Sequence, residues 1–138
     1  MPVAEELRQR TFRYALRTIA FCRQLPETWD TREIAKQLLR AGTGTAANYW
    51  SACRGRSTAE FIARLGVAED EVAESVMWLM LAIQSGIATS ESARDLLAEG
   101  RQLTAILSKS VKTARENRRR RSKPQVTKLP SYHVTNSG

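Results

Sequence analysis

Carboxylates are the side chains of this sequence that come closest to a catalytic or metal-binding pattern. Glu71 and Glu74 are three residues apart and share one face of a predicted helix. A di-iron bundle also needs Glu-x-x-His motifs on two helices, and the one histidine, His133, lies near the C-terminus. We therefore expect no metal site, but a solvated or ion-paired acidic face. The more specific alternative is that Asn48, Arg54 and Glu74 form a structural polar network that holds the helices together.

Other reactive residue types form no recognisable site. The two cysteines, Cys22 and Cys53, are too few for a disulfide framework or a four-ligand zinc site. The pattern Gly42-x-Gly44-x-x-Ala47 matches the loosest dinucleotide fingerprint, but that motif has meaning only between a strand and a helix. No strand period precedes it. We expect a protein that is not an enzyme and takes no cofactor.

Basic residues give the stronger signal. The 138 residues carry 22 Lys and Arg against 14 Asp and Glu, a net charge of +8. From Arg115 onward there are seven cations and one glutamate, so the remainder is nearly neutral. Such a mobile polycation suits phosphate binding through counterion release. Candidate nucleic-acid contacts are Arg115, Arg118, Arg119, Arg120, Arg121 and Lys123 in this segment, and Arg10, Arg13, Arg17, Arg54, Arg56 and Arg64 elsewhere.

These arginines have a second interpretation, because solvation or pairing with the acidic segment 69–74 also explains charged residues on helices. No aromatic residues interleave with them in an RNA-recognition pattern, so reading of specific bases is not indicated.

Four segments have a helical period of apolar residues and none has a strand period. They cover about residues 5–23, 30–54, 57–86 and 89–117. Asp30 and Ser57 are predicted N-caps, and Gly86 a C-cap. The short connections predict an all-α, up-down-up-down antiparallel four-helix bundle over residues 1–117. Gly42 and Gly44 inside the second helix predict close backbone approach of a neighbouring helix, because glycine otherwise destabilises helices.

The two ends of the chain and its longest apolar run indicate where in the cell the protein is found. Residues 118–138 are basic and polar, without a helical stripe, so we expect a disordered tail. The N-terminal residues lack the apolar region of a signal peptide. The longest apolar run, Val76–Ile83, is too short to cross a bilayer. These features favour a cytoplasmic protein with no membrane partner.

The third helix indicates self-association. From Val76 to Ile83 it is apolar on every side, whereas one bundle core covers a single stripe. Met77 and Trp78 project about 100° apart. We predict a homo-oligomer with Met77, Trp78 and Leu81 in the interface. The alternative is one enlarged core around the three tryptophans.

One stretch resembles a known family. The residues Asn48-Tyr49, Ala52-Cys53-Arg54, Arg56-Ser57 and Glu60-Phe61, followed by Glu71-x-x-Glu74 and Trp78-Leu79, resemble the bacterial four helix bundle protein family. That family includes proteins encoded in intervening sequences of large-subunit rRNA genes. It is similar in fold to the accessory variability determinant of diversity-generating retroelements. The resemblance covers about residues 5–117, with departures at Ser51 and Ala73, where the family often has acids.

The resemblance implies a homopentamer of bundles with a basic surface and no catalysis. For the retroelement branch it implies binding of RNA and of a reverse transcriptase. Together with the charge pattern, it predicts a non-enzymatic oligomer that binds structured RNA as an accessory subunit of a reverse-transcriptase ribonucleoprotein. The alternative is a structural protein–protein interaction scaffold that does not bind nucleic acid.

Overall fold

The computed structural model describes residues 3–122, and in that range it contains four helices and no strand. The helices are α1 (Val3–Arg23), α2 (Trp29–Cys53), α3 (Thr58–Gln84) and α4 (Glu91–Ser122). Consecutive helices pack against each other, and α4 closes the ring against α1. Short connections make neighbours antiparallel. The predicted all-α four-helix bundle is confirmed.

The core consists of the apolar stripes that the helical period predicts. On α1, the residues Leu7, Tyr14 and Phe21 are buried at spacings of seven. On α3, Leu65, Val72 and Leu79 follow the same spacing, which returns a side chain to nearly the same face. Each helix therefore turns one face towards the shared core.

Helix ends follow the predicted signals at two of three positions. The Ser57 hydroxyl accepts a hydrogen bond from the Glu60 amide at 3.1 Å, as an N-cap does. Gly86 has a φ of +86°, the left-handed conformation that ends helices. The prediction that Asp30 caps α2 is wrong, because Thr28 occupies the N-cap position. Asp30 lies in the first turn and accepts from the Thr28 hydroxyl at 2.7 Å.

The fourth helix is longer than predicted. It continues to Ser122, past the boundary at residue 117 that separated bundle from tail. Arginine is a good helix former, and cations near a helix C-terminus interact favourably with the helix dipole, so Arg118–Arg121 extend the helix. The rest of the predicted tail, including Lys123, lies outside the described residues.

The two glycines of α2 accommodate neighbouring side chains. A Cβ on Gly42 would lie 2.7 Å from the Thr18 hydroxyl of α1. A Cβ on Gly44 would overlap the Glu71 carboxylate of α3. The predicted close approach of a neighbouring backbone is wrong, because the groups that fill the space beside both glycines are side chains of α1 and α3.

Candidate nucleic-acid interface

One end of the bundle is basic. The α2–α3 turn and the last turns of α4 lie at this end, because antiparallel order places the C-termini of α2 and α4 together. Arg56 of the turn and Arg121 of α4 line one cleft of about 530 Å³. Two arginines far apart in the sequence therefore meet. We call the six exposed arginines here the basic end: Arg54, Arg56, Arg118, Arg119, Arg120 and Arg121.

A second cleft, of about 480 Å³, adjoins the α2–α3 turn. It is lined by Arg54, Arg56, Trp50 and Glu60, among others. Both arginines and the tryptophan are exposed. This cleft thus combines two cations with an aromatic ring, and Glu60 contributes one opposing charge.

Contacts with α1 hold Trp50 in place. Its indole N–H donates to the Arg8 carbonyl at 3.0 Å. The Arg8 guanidinium carbon lies 4.8 Å from the centre of the indole ring, within cation–π range. The ring centre of Phe12 lies 5.6 Å away, tilted by 35°.

Sequence reasoning missed this aromatic residue beside the arginines. The available signal was the four-residue spacing between Trp50 and Arg54, since residues four apart are neighbours on a helix surface. The contribution of Arg8 depends on the packing of α1 against α2, which no local spacing encodes.

A further cleft lies between α3 and α4, and one arginine of the basic end lines it. Arg115 and Arg119 line a cleft of about 300 Å³ between α3 and α4, together with Glu69 and Glu116. The two acids reduce the positive potential on this face. Arg64 is exposed near the start of α3.

Arg10 has a structural role instead of the predicted nucleic-acid contact. Its Nε and Nη2 donate to the two Glu99 carboxylate oxygens at 3.0 and 2.8 Å, and Nη2 also donates to Gln102 at 3.1 Å. The hydrogen bond with Glu99 raises the pKa of Arg10. This bidentate pair ties α1 to α4 and occupies the guanidinium. Arg13 and Arg17 are exposed on α1, and Arg17 shares a cleft of about 200 Å³ with Asp95.

We expect Arg10→Gln to lower the free energy of unfolding by about 1–2 kcal/mol, because it leaves the partly buried Glu99 carboxylate without its charged partner. The matched control is Arg13→Gln at an exposed position, with a change within about 0.5 kcal/mol. Urea unfolding followed by circular dichroism measures both. Equal stability of the two variants would show that the Arg10–Glu99 pair does not stabilise the bundle.

The predicted polar network does not form among the described residues. The Asn48 amide donates to the Gly44 carbonyl of its own helix at 2.8 Å. Glu74 accepts from Arg40 at 3.1 Å and from the Trp78 indole at 3.4 Å. Arg54 points to solvent one turn beyond Trp50. Arg40 takes the place of Arg54 because antiparallel packing aligns the middle of α2, not its end, with Glu74.

Glu71 lies over Gly44 of α2. Its pKa is raised, first by burial and then by the charge of Glu74.

The predicted interface residues differ in exposure. Met77 is 43% exposed and Leu81 46%, whereas Trp78 is half-buried against the core. The alternative of a single core around three tryptophans is wrong, because Trp29 is 84% exposed and Trp50 37%.

A second apolar surface lies between α1 and α2. This groove of about 430 Å³ is lined mainly by Phe12, Leu16, Ile19, Ala47 and Trp50. Sequence analysis did not single it out.

Residues 3–122 contain no metal cluster and no membrane-spanning helix. No group of three or more His, Cys, Asp or Glu residues in this range could hold a metal ion. None of its helices combines the length and the apolar character needed to cross a membrane.

A comparison with the curated proteins gives no match. A crystal structure of a protein of unknown function from the S23 ribosomal protein family of Bacteroides thetaiotaomicron is similar, with a TM-score of 0.73 and 26% sequence identity. The similarity covers 79% of this chain and 97% of that one. The family model of the 23S rRNA-intervening sequence protein matches residues 5–109. The chain therefore belongs to the 23S rRNA-intervening sequence protein family.

Proposed function

We propose that this protein is a non-enzymatic, oligomeric RNA-binding protein whose basic end contacts RNA phosphates. The observation that carries the proposal is the meeting of Arg56 and Arg121 in one cleft. The name of the family refers to an rRNA intervening sequence, which is consistent with RNA as the ligand class.

The basic end suits a polyanion better than a small acid. Its six arginines lie on two elements, the α2–α3 turn and the last turns of α4. Arginine presents a planar fork of donors that matches phosphate oxygens. Each phosphate that is neutralised releases a condensed counterion, so the affinity falls as salt rises. Structured RNA therefore fits the arrangement without any catalytic group.

Replacing four arginines of the basic end tests this proposal. We expect Arg54→Gln, Arg56→Gln, Arg118→Gln and Arg121→Gln, combined in one variant, to weaken RNA binding at least tenfold. The slope of log K against log[salt] should become shallower by up to about 3, because fewer counterions are released. The probe is a fluorescein-labelled RNA hairpin with single-stranded flanks, followed by fluorescence anisotropy over a salt series.

The matched control removes the same charge from the opposite end of the bundle, with the substitutions Arg23→Gln, Arg32→Gln, Lys36→Gln and Arg94→Gln. These positions are all exposed. If both variants lose the same affinity, only net charge matters and the basic end is not the contact. If the unmodified protein does not bind the hairpin at low salt, the proposed function is wrong.

Self-association is the second component of the proposal. Met77 and Leu81 on α3 and the groove between α1 and α2 are separate apolar surfaces on one chain. Different surfaces that contact each other head to tail generate a ring when the rotation between subunits closes, and the family resemblance implies a ring of five subunits. A ring would repeat the basic end around its circumference and give avidity for one RNA.

Met77→Glu combined with Leu81→Glu tests the predicted interface. We expect the mass in sedimentation equilibrium to fall to that of a single chain, because two buried carboxylates would oppose association. The control is Ala98→Glu with Ala105→Glu, two exposed positions on α4, which should leave the mass unchanged. A single-chain mass for the unmodified protein at micromolar concentration would contradict self-association.

The accessory role beside a reverse transcriptase is the narrowest form of the proposal. Its support is the family resemblance together with the basic end. Co-purification of the purified chain with a reverse transcriptase encoded beside it would support this role. Loss of that association on addition of RNase would show that RNA bridges the two proteins.

The scaffold alternative is favoured by the groove between α1 and α2, because an exposed apolar groove is typical of a protein-binding surface. It predicts that a chain ending at residue 117 keeps its protein contacts, and that neither this chain nor the full one binds RNA. Loss of RNA binding on this truncation, after binding by the full chain, favours the RNA-binding proposal.

A further inference from the structure

We propose that Trp50 is a stacking platform for an unpaired RNA base, whose flanking phosphates bind Arg54 and Arg56. The inference rests on the proposed RNA-binding function and narrows its ligand. It predicts that the protein prefers RNA with single-stranded nucleotides over a continuous duplex.

The indole is held through its N–H edge, and two side chains of α1 lie close to the ring. Its N–H donates to the Arg8 carbonyl at 3.0 Å, which fixes the plane of the ring. The Arg8 guanidinium and the Phe12 ring, 4.8 and 5.6 Å from the indole, are both contributed by α1. A ring that is already fixed in this way loses little side-chain entropy when a base stacks on it.

Trp50 lines a charged cleft as well as the apolar groove between α1 and α2. Trp50 is 37% exposed and lines the cleft of about 480 Å³ with Arg54 and Arg56. This volume falls within the roughly 300–1,000 Å³ of small-molecule sites. An aromatic ring beside arginines on a surface is how proteins bind single-stranded nucleic acid, because every base has a face that stacks.

Duplex RNA offers no base that could stack on Trp50. Its bases stack on one another, and its deep, narrow major groove excludes side chains. A tryptophan that lies beside a helix turn reaches a base only where the base is unstacked, in a loop, bulge or end. The arginines of the same cleft contact phosphates of either form, so the preference for unpaired RNA comes from Trp50.

The test compares Trp50→Leu with the unmodified protein on two labelled probes, single-stranded oligouridine and a blunt RNA duplex of equal length. We expect the substitution to weaken binding of the single strand about tenfold or more, since loss of one stacked base has effects of this order. Binding of the duplex should change less than twofold. The control is Trp29→Leu, at an 84% exposed tryptophan near the opposite end of α2, which should change neither affinity.

A second measurement does not depend on substituting Trp50. In a protein with Trp29→Phe and Trp78→Phe, Trp50 is the one remaining tryptophan. We expect its fluorescence to be quenched by the single strand and to change little with the duplex. Melting followed by circular dichroism confirms that each variant is folded.

The outcomes separate the two proposals. Equal loss on both probes, or no quenching by the single strand, overturns the stacking site and leaves RNA binding by the basic end in place. If the unmodified protein binds neither probe at low salt, both proposals fall. If the single strand does not quench Trp50 but an apolar peptide does, the cleft is a protein-binding site.

Discussion

We expect Gly100→Ala to lower the free energy of unfolding by about 1–3 kcal/mol, although alanine is the better helix former. A Cβ at this position would lie 2.7 Å from the Tyr14 hydroxyl and 2.9 Å from a methyl group of Val76. Tyr14 cannot withdraw freely, because it is fully buried and its hydroxyl bonds to Ser75 at 2.7 Å. Helices α1, α3 and α4 meet at Gly100, so an added methyl group must push them apart.

The control is the same substitution at a glycine with room around it. At Gly66 on α3, the nearest atom to an added Cβ is the end of the flexible Arg115 side chain, 3.9 Å away. Gly66→Ala should therefore raise stability by up to about 1 kcal/mol. Urea unfolding of both variants gives the comparison. An increase in stability at both positions would show that Gly100 is not required for helix packing.

The second expected result is a loss of stability at high pH. Burial raises the pKa of Tyr14 from its ordinary value near 10 to about 12. The folded protein therefore holds this proton more tightly than the unfolded chain does. The corresponding stability is complete below pH 10 and is lost as the pH rises through about 12. A shift of two pKa units corresponds to about 2–3 kcal/mol.

Two other groups add to this alkaline loss. Burial raises the pKa of the Cys22 thiol to about 11. The pKa of Tyr49 is also raised, first by burial and then by its neighbour Cys53. Both groups favour the neutral form in the folded state, so their contributions have the same sign as that of Tyr14. The unfolding free energy should fall steadily between about pH 9 and 12.

Tyr14→Phe isolates the contribution of Tyr14. At pH 7 this variant should be less stable by about 1 kcal/mol, because the hydrogen bond with Ser75 is lost. Between pH 10 and 12 its stability should fall less steeply than that of the unmodified protein. Urea unfolding at a series of pH values measures both lines. If the free energy of unfolding falls equally steeply with pH in both proteins over this range, ionisation of the Tyr14 phenol does not cause the loss of stability at high pH.

The basic end illustrates how antiparallel topology builds a site. Arg56 and Arg121 are 65 residues apart in the sequence, yet they line one cleft. Arg10 instead forms an ion pair within the bundle, because the packing of α1 against α4 places Glu99 beside it. The same residue type therefore has two roles, and each role depends on which helix lies opposite.

The sequence by itself determined the four helices and their buried faces. Apolar residues at spacings of three, four and seven fix which side of each helix leaves water, and short connections make neighbours antiparallel. Ser57 and Gly86 marked helix ends through local chemistry alone. These features depend on residues close together in the chain, so the spacing encodes them.

Only the tertiary structure decided the partners across helices. In the folded protein Glu74 pairs with Arg40 instead of Arg54, and Arg8 lies over the Trp50 ring. The tertiary structure also brought Arg121, near the C-terminal end of α4, to the α2–α3 turn. The physical reason is that such contacts depend on the axial register between helices. That register is set by how the whole core packs, including the close approaches at Gly42, Gly44 and Gly100.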